Sequence, residues 1–327
     1  MTIRARGAVR ALKRNVKRNN LHFLRLYNQI CKITIYLVLL VICAGGFVRM
    51  TGSGMGCPDW PKCFGYWIPP TSVYQLPDNY KEIYSERGYD TLDFNVFHTW
   101  TEYINRLLGF VSGLFCFALF LVSLKLKIRA LFLLSSFLVL LMGFQAWMGA
   151  LVVYSILAPF KITIHMLIAL LIVSLLLFLY RITSHQRNTS NTDSYKWILI
   201  ALIISLIQIV LGTQVRESVD MLFPSHSRLD IIHQLPIIFE VHRTMAWLVM
   251  ISNVFLIYHY RMLFKIYFEL KTIIVIVLSL ILTGLLMSYH GVYGIYQLLH
   301  LLLAVSLFLC QFSILLKQSI FPRLDFP

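Results

Sequence analysis

Charge is scarce in this sequence. Asp, Glu, Lys and Arg make up 13% of its 327 residues, and hydrophobic residues make up 58%. Soluble domains are about a quarter charged, so an ordinary soluble catalytic domain is excluded. Acids are scarcest: 14 Asp and Glu stand against 29 Lys and Arg, and residues 1–32 contain none. The apolar runs do not alternate with polar residues, which excludes the strands of a membrane barrel. No small-residue cleavage site follows the first apolar run, so it reads as a permanent helix and not a removed signal peptide. A zinc signature is missing too. Cys57 and Cys63 have five residues between them, and no second pair matches them.

Eight long apolar runs are present. They cover Ile33 to Val48, Leu107 to Leu124, Ala130 to Tyr154, Ile162 to Tyr180, Trp197 to Val215, Thr244 to Tyr258, Ile273 to Tyr289 and Ile295 to Leu316. Each is long enough, with its flanks, to cross about 30 Å of hydrocarbon as a helix. The predicted fold class is an all-α integral membrane protein with eight transmembrane helices.

The formal net charge is +15, which invites a nucleic-acid partner. Its distribution argues for a lipid bilayer and no nucleic acid. Nine Lys or Arg lie in residues 1–32. Further clusters at Lys125 to Arg129, Arg181 to Lys196, Arg261 to Lys271 and Lys317 to Arg323 fall on one side if the helices alternate. The segment from Thr51 to Thr99 on the other side has three basic and six acidic residues. This positive-inside pattern puts both termini in the cytoplasm. An Arg-rich, acid-free start also suits a mitochondrial presequence. The expected location is the cell inner membrane, or the mitochondrial inner membrane in a eukaryote.

The halves resemble each other. Gly45-Gly46-Phe47-Val48-Arg49 matches Gly212-Thr213-Gln214-Val215-Arg216, and Asn105-Arg106-Leu107 matches His242-Arg243-Thr244. His165 and His300 sit near the outer ends of the fourth and eighth helices. Two pseudo-symmetric four-helix bundles follow, as parallel repeats. The boundaries are a basic cytoplasmic arm at 1–32 and a first bundle at 33–182 with a long outer loop at 50–98. A cytoplasmic linker at 183–195, a second bundle at 196–316 and a cytoplasmic tail at 317–327 complete the chain. An outer loop of this length suggests function.

Chemistry concentrates at Asn105, His165, His242 and His300. With Pro236 and Gly294 as membrane boundaries, His242 and His300 both lie roughly 10 Å deep. Matched depth on two helices of one bundle suits axial ligation of a heme iron. A lone intramembrane His would more simply hydrogen-bond a neighbouring helix; two in a duplicated framework favour the ligand reading. Arg49, Arg106, Arg216 and Arg243 lie near the same level and suit heme propionates, although Arg49 and Arg216 could also snorkel to the interface. Glu102, one turn outside Asn105, could move protons, stabilise a cation, or simply pair with Arg106 at i+4. His98 is one turn further out. Cys57 and Cys63 are candidates for a disulfide or a redox-active pair on an oxidising side. Cys31, Cys43, Cys116 and Cys310 read as packing residues.

These pieces, in this order, resemble the heme A synthase family of cytochrome oxidase assembly, over about residues 33 to 316. The most specific is Gly45 to Arg49 running through Thr51-Gly52-Ser53-Gly54 to Cys57-Pro58-Asp59-Trp60-Pro61-Lys62-Cys63. It is followed by Glu102-Tyr103-Ile104-Asn105-Arg106, His165-Met166, Val241 to Ala246 and Leu299-His300-Leu301. The resemblance implies an oxidoreductase that converts the C8 methyl of heme O to a formyl group, by successive hydroxylation through a gem-diol, giving heme A. It implies that His242 and His300 ligate a resident heme b in the second half. The first half would receive the substrate, with His165 on its iron and Glu102 close to the chemistry. Implied partners are heme O synthase, cytochrome oxidase assembly factors and an electron donor. The sequence departs from the family at Asn105, where a fourth histidine is common; an amide is a poor iron ligand. A transmembrane b-type electron carrier and a heme-delivery protein are the alternative functions. An electron carrier would usually place hemes near both faces, whereas these positions share one.

Overall fold

The computed structural model describes residues 3–154, 160–184, 195–222, 225–263 and 267–317. Among them are eight long helices: α1 (Ile3–Met50), α2 (Val96–Leu126), α3 (Arg129–Tyr154), α4 (Lys161–Thr183), α5 (Tyr195–Leu222), α6 (Ile237–His259), α7 (Phe268–His290) and α8 (Gly294–Leu316). All eight contain a stretch long and apolar enough to cross a membrane. Helices suit such sequences because hydrocarbon offers no partner to a free N–H or C=O. Among the described residues the only β pairing is an isolated bridge between Cys63 and Tyr66. Residues 185–194 of the expected linker and 318–327 of the expected tail lie outside the described residues.

Two helices outrun their apolar runs. α1 continues back through the basic arm to Ile3, and Leu24, Tyr27 and Cys31 within that arm belong to the main core. α2 starts at Val96, where the Asn95 side chain accepts from the His98 N–H at 3.2 Å and satisfies one of the first turn's spare donors. Its polar opening turns pack against the segment at 51–95.

The outward faces are apolar. On α2, Ile104, Leu107, Phe110, Leu114, Phe117, Leu121 and Leu124 are all exposed at helical spacing. Water would not tolerate such a stripe; acyl chains match it. Polar seams hold the interior. Tyr27 Oη lies 2.8 Å from Ser135 Oγ, and Cys31 Sγ donates to the Leu176 carbonyl at 3.2 Å.

Within each half the helices touch in a ring. α1 packs on α2, α2 on α3, α3 on α4 and α4 on α1; α5, α6, α7 and α8 repeat this order. The rings differ at one edge. α2 and α3 pack extensively, whereas α6 and α7 barely meet. The halves join chiefly through α1 and α8. Their approach needs small residues: a Cβ on Gly294 would stand 2.8 Å from the Met50 carbonyl oxygen, and one on Gly46 would stand 2.6 Å from Leu298 Cδ1.

Residues 51–95 form a cap over the first ring with its own core. Phe64 stands edge-on to Tyr80, Tyr84, Tyr89 and Phe94, beside buried Cys57 and Cys63. Tyr154 at the end of α3 donates to the Trp60 carbonyl at 2.8 Å, and Arg87 donates to the Tyr154 carbonyl at 3.0 Å.

Candidate functional site

Asn105, His165, His242 and His300 all lie toward the cap end of even-numbered helices, and each faces a glycine on the preceding helix. A Cβ built on Gly45 would meet Asn105 Oδ1 at 3.9 Å. One on Gly149 would meet His165 Cε1 at 3.7 Å, one on Gly212 would meet His242 Cε1 at 3.2 Å, and one on Gly284 would meet His300 Cε1 at 3.8 Å. Glycine leaves each ring or amide room beside the opposing backbone. Sequence reading missed this pairing. The glycines are visible in the sequence, but their partners are not.

His242 and His300 face each other in the second half, with ring centres 6.3 Å apart and planes at 63°. Two imidazoles on one iron, each bound at about 2 Å through a ring nitrogen, would have ring centres roughly 6 Å apart. Both histidines line a cavity of about 560 Å³. The Thr283 hydroxyl sits 2.8 Å from His300 Nδ1 and also within bonding distance of the Ser279 and Leu280 carbonyls, at 2.9 and 3.1 Å. With its proton on one of these carbonyls, Thr283 can accept from a His300 Nδ1–H, the tautomer that leaves Nε2 with a free lone pair. His242 Nδ1 is buried without a partner, while Gln208 donates to the His242 carbonyl at 2.9 Å. These features fit an axial pair for a porphyrin iron. Among the described residues no three His, Cys, Asp or Glu gather as a site for a free metal ion, and a heme needs only the pair.

Arg49, Arg216 and Arg243 all line this cavity. Arg49 and Arg216 share Asp220, a residue missed in the sequence although it stands at i+4 from Arg216. Arg243 pairs with Glu240 at the more exposed rim.

The first half is arranged differently. Gln145 donates to the His165 carbonyl at 3.0 Å, just as Gln208 does for His242. His165 Nδ1 and Asn105 Oδ1 are both buried without partners. His98 is held at the top of α2, where its Nδ1 lies 2.9 Å from Ser53 Oγ.

Arg106, expected beside a propionate, instead grips the cap. Its Nη1 donates to the Asp59 and Lys62 carbonyls at 2.6 and 2.9 Å, and its Nη2 to the Cys57 carbonyl at 3.3 Å. Nη2 also meets Glu102 Oε1 at 2.5 Å, in a pair with side chains 13% and 6% exposed. Glu102 Oε2 accepts the Cys57 N–H at 3.0 Å. Cys57 and Cys63 are joined in a disulfide, with Cα atoms 4.9 Å apart. Asp59, inside that small loop, accepts from the N–H groups of Phe64 and Gly65 at 2.5 and 2.8 Å. Nearby, burial and the Glu102 carboxylate push the Tyr89 phenol up, so it stays protonated and donates to the Met55 carbonyl at 2.6 Å.

A second missed residue is Glu217, also on α5 and 7% exposed. It accepts from the Phe160 N–H at 3.1 and 3.3 Å and from Thr163 Oγ1 at 3.4 Å, capping the helix that carries His165. No sequence signal marks it, because its partner is a backbone amide 57 residues away.

Known proteins resemble the chain in the same regions. A heme A synthase from Shewanella oneidensis is 31% identical over 185 residues, 55% of this chain and 54% of that protein. One from Pelagibacter ubique is 28% identical over 334 residues, 90% of this chain and 97% of that protein. One from Wolbachia pipientis wMel is 25% identical over 290 residues, 76% of this chain and 81% of that protein. The chain thus spans about half of the Shewanella relative and nearly all of the Pelagibacter one. The family model described as cytochrome oxidase assembly protein matches residues 28–312, so this chain belongs to the COX15-CtaA family of cytochrome oxidase assembly proteins.

Proposed function

We propose that the chain is a membrane heme A synthase, an oxidoreductase that oxidises the C8 methyl of heme O to the formyl group of heme A. The observation that carries this reading is the inequality of two corresponding sites. The second half has a facing histidine pair across an open cavity. The first has one histidine, an amide and a buried carboxylate under a disulfide-closed cap. A resident cofactor needs a permanent grip, and a substrate must leave.

In the second half His242 and His300 would hold a heme b by its iron, and Arg49, Arg216 and Arg243, which line the same cavity, would meet its propionates. Heme b supplies one-electron transfer when bound. Thr283, accepting from His300 Nδ1, would favour the tautomer whose Nε2 can ligate the iron. In the first half His165 binds the substrate iron on one side, and Asn105 leaves the other side without a strong ligand. Glu102, screened from water beside Arg106 and the Cys57 N–H, is placed to stabilise positive charge or accept a proton at the substrate edge. The two bundles arose by duplication, and both termini lie in the cytoplasm, or in the matrix of a mitochondrion. Heme O synthase, assembly factors of cytochrome oxidase and an electron donor are the partners that this function requires.

Coexpression with a heme O supply, followed by extraction and chromatography of the hemes, tests the reading. Heme A should accumulate only with the intact chain. An electron carrier or a heme-delivery protein would return heme O unchanged.

A further inference from the structure

Two arginines at the rim of the second-half cavity share one carboxylate. Arg49 comes from the last turn of α1, in the first half, and Arg216 from α5. Asp220 Oδ2 accepts from Arg49 Nε at 3.1 Å and from Arg49 Nη2 at 2.5 Å. Its Oδ1 meets Arg216 Nη1 at 2.8 Å. Arg216 Nη2 donates to the Arg49 carbonyl at 3.3 Å. The arginines line the cavity, whereas Asp220 does not. Two guanidiniums this close would repel without a shared anion. With Asp220 the trio keeps a net charge of +1. Arg49 Nη1 and Arg216 Nε are not used in these bonds.

We infer that Asp220 is a positioning residue that fixes Arg49 and Arg216 so that their remaining donors read the free carboxylates of a porphyrin in the cavity. The inference rests on the heme reading above and deepens it. The axial pair recognises iron and is blind to the porphyrin edge. The arginine pair recognises the edge, and Asp220 sets its geometry. A guanidinium held in a fixed fork loses less freedom on meeting a carboxylate than one that must first be ordered. Arg49 belongs to the other half, so the second-half site is complete only when the halves are docked.

The test uses full-length protein depleted of heme and titrated with hemin or with hemin dimethyl ester, which keeps the iron and lacks the carboxylates. Binding is read from the bis-imidazole absorption spectrum. The wild type is expected to bind hemin about tenfold more tightly than the ester. Asp220→Ala should collapse that preference to about twofold by weakening hemin alone, and Asp220→Glu should restore part of it. If Asp220→Ala does not accumulate, Asp220→Asn reports the same difference, because it removes the charge and keeps the shape. Equal weakening of both ligands would mean that Asp220 merely ties the helices together, and the inference falls. It falls equally if the preference survives in Asp220→Ala or Asp220→Asn, or is missing from the wild type. A wild type that gives no bis-imidazole spectrum with either ligand rejects the heme reading itself, a result distinct from all of these.

Discussion

The two halves place four residues at equivalent stations and furnish them differently. In the second half both stations carry histidine, their rings face each other, and α6 and α7 stand apart around a cavity. In the first half one station is Asn105, α2 and α3 pack together, and the disulfide-closed cap is bolted down by Arg106 and Glu102. A single framework therefore supports two grades of grip. The proposal of a permanent heme in the second bundle and a transient one in the first rests on this contrast.

The harshest test of this contrast removes the stronger grip. His242→Ala or His300→Ala should abolish the low-spin b-type spectrum of the purified protein, whereas His165→Ala should leave it in place. An unchanged spectrum in both of the first two variants would reject the axial assignment.

Next in size is Glu102→Gln. It should lower heme A yield by roughly a hundredfold while the heme b spectrum persists. Breaking a buried ion pair also costs about 3–5 kcal/mol locally, so protease resistance of the cap must be measured alongside. Normal heme A yield from well-expressed protein would leave Glu102 only its anchoring role.

Gly212→Ala and Gly149→Ala compare the same contact in the two halves. A methyl at 212 would crowd His242 at 3.2 Å, whereas one at 149 would sit at an ordinary 3.7 Å from His165. Overpacking by about 1–2 kcal/mol should weaken heme in Gly212→Ala about tenfold. Gly149→Ala should retain wild-type heme content, measured by pyridine hemochrome assay per chain.

The gentlest change makes the halves alike. Asn105→His should add an axial ligand to the first half and trap a heme there, raising heme per chain about twofold. A ratio that stays at the wild-type value would show that the first ring cannot close on a porphyrin from both sides.

The spans were legible because hydrocarbon imposes one solution on apolar runs, so composition alone separated eight helices. The ends of α1 and α2 were not, because their polar turns carry no apolar signal and follow cap and core contacts such as Asn95 and Tyr27. His165, His242 and His300 stood out because ionisable groups are costly in a membrane. Asp220 carried a faint mark, its i+4 spacing from Arg216. The task of Arg106 depended on how residues 57–62 fold back over α2, which no local pattern encodes.

Glu217 and Asp220 have one more consequence, which concerns the order of synthesis. Chains emerge from the ribosome N-terminus first, so α1 and α4 emerge before α5 does. Until then the Arg49 guanidinium and the Phe160 N–H lack the carboxylates that later receive them. The first four helices are therefore an unfinished piece when they are made, and α5 completes them from outside. If the gene were cut between the halves, the first product would keep these groups unpaired until it met the second.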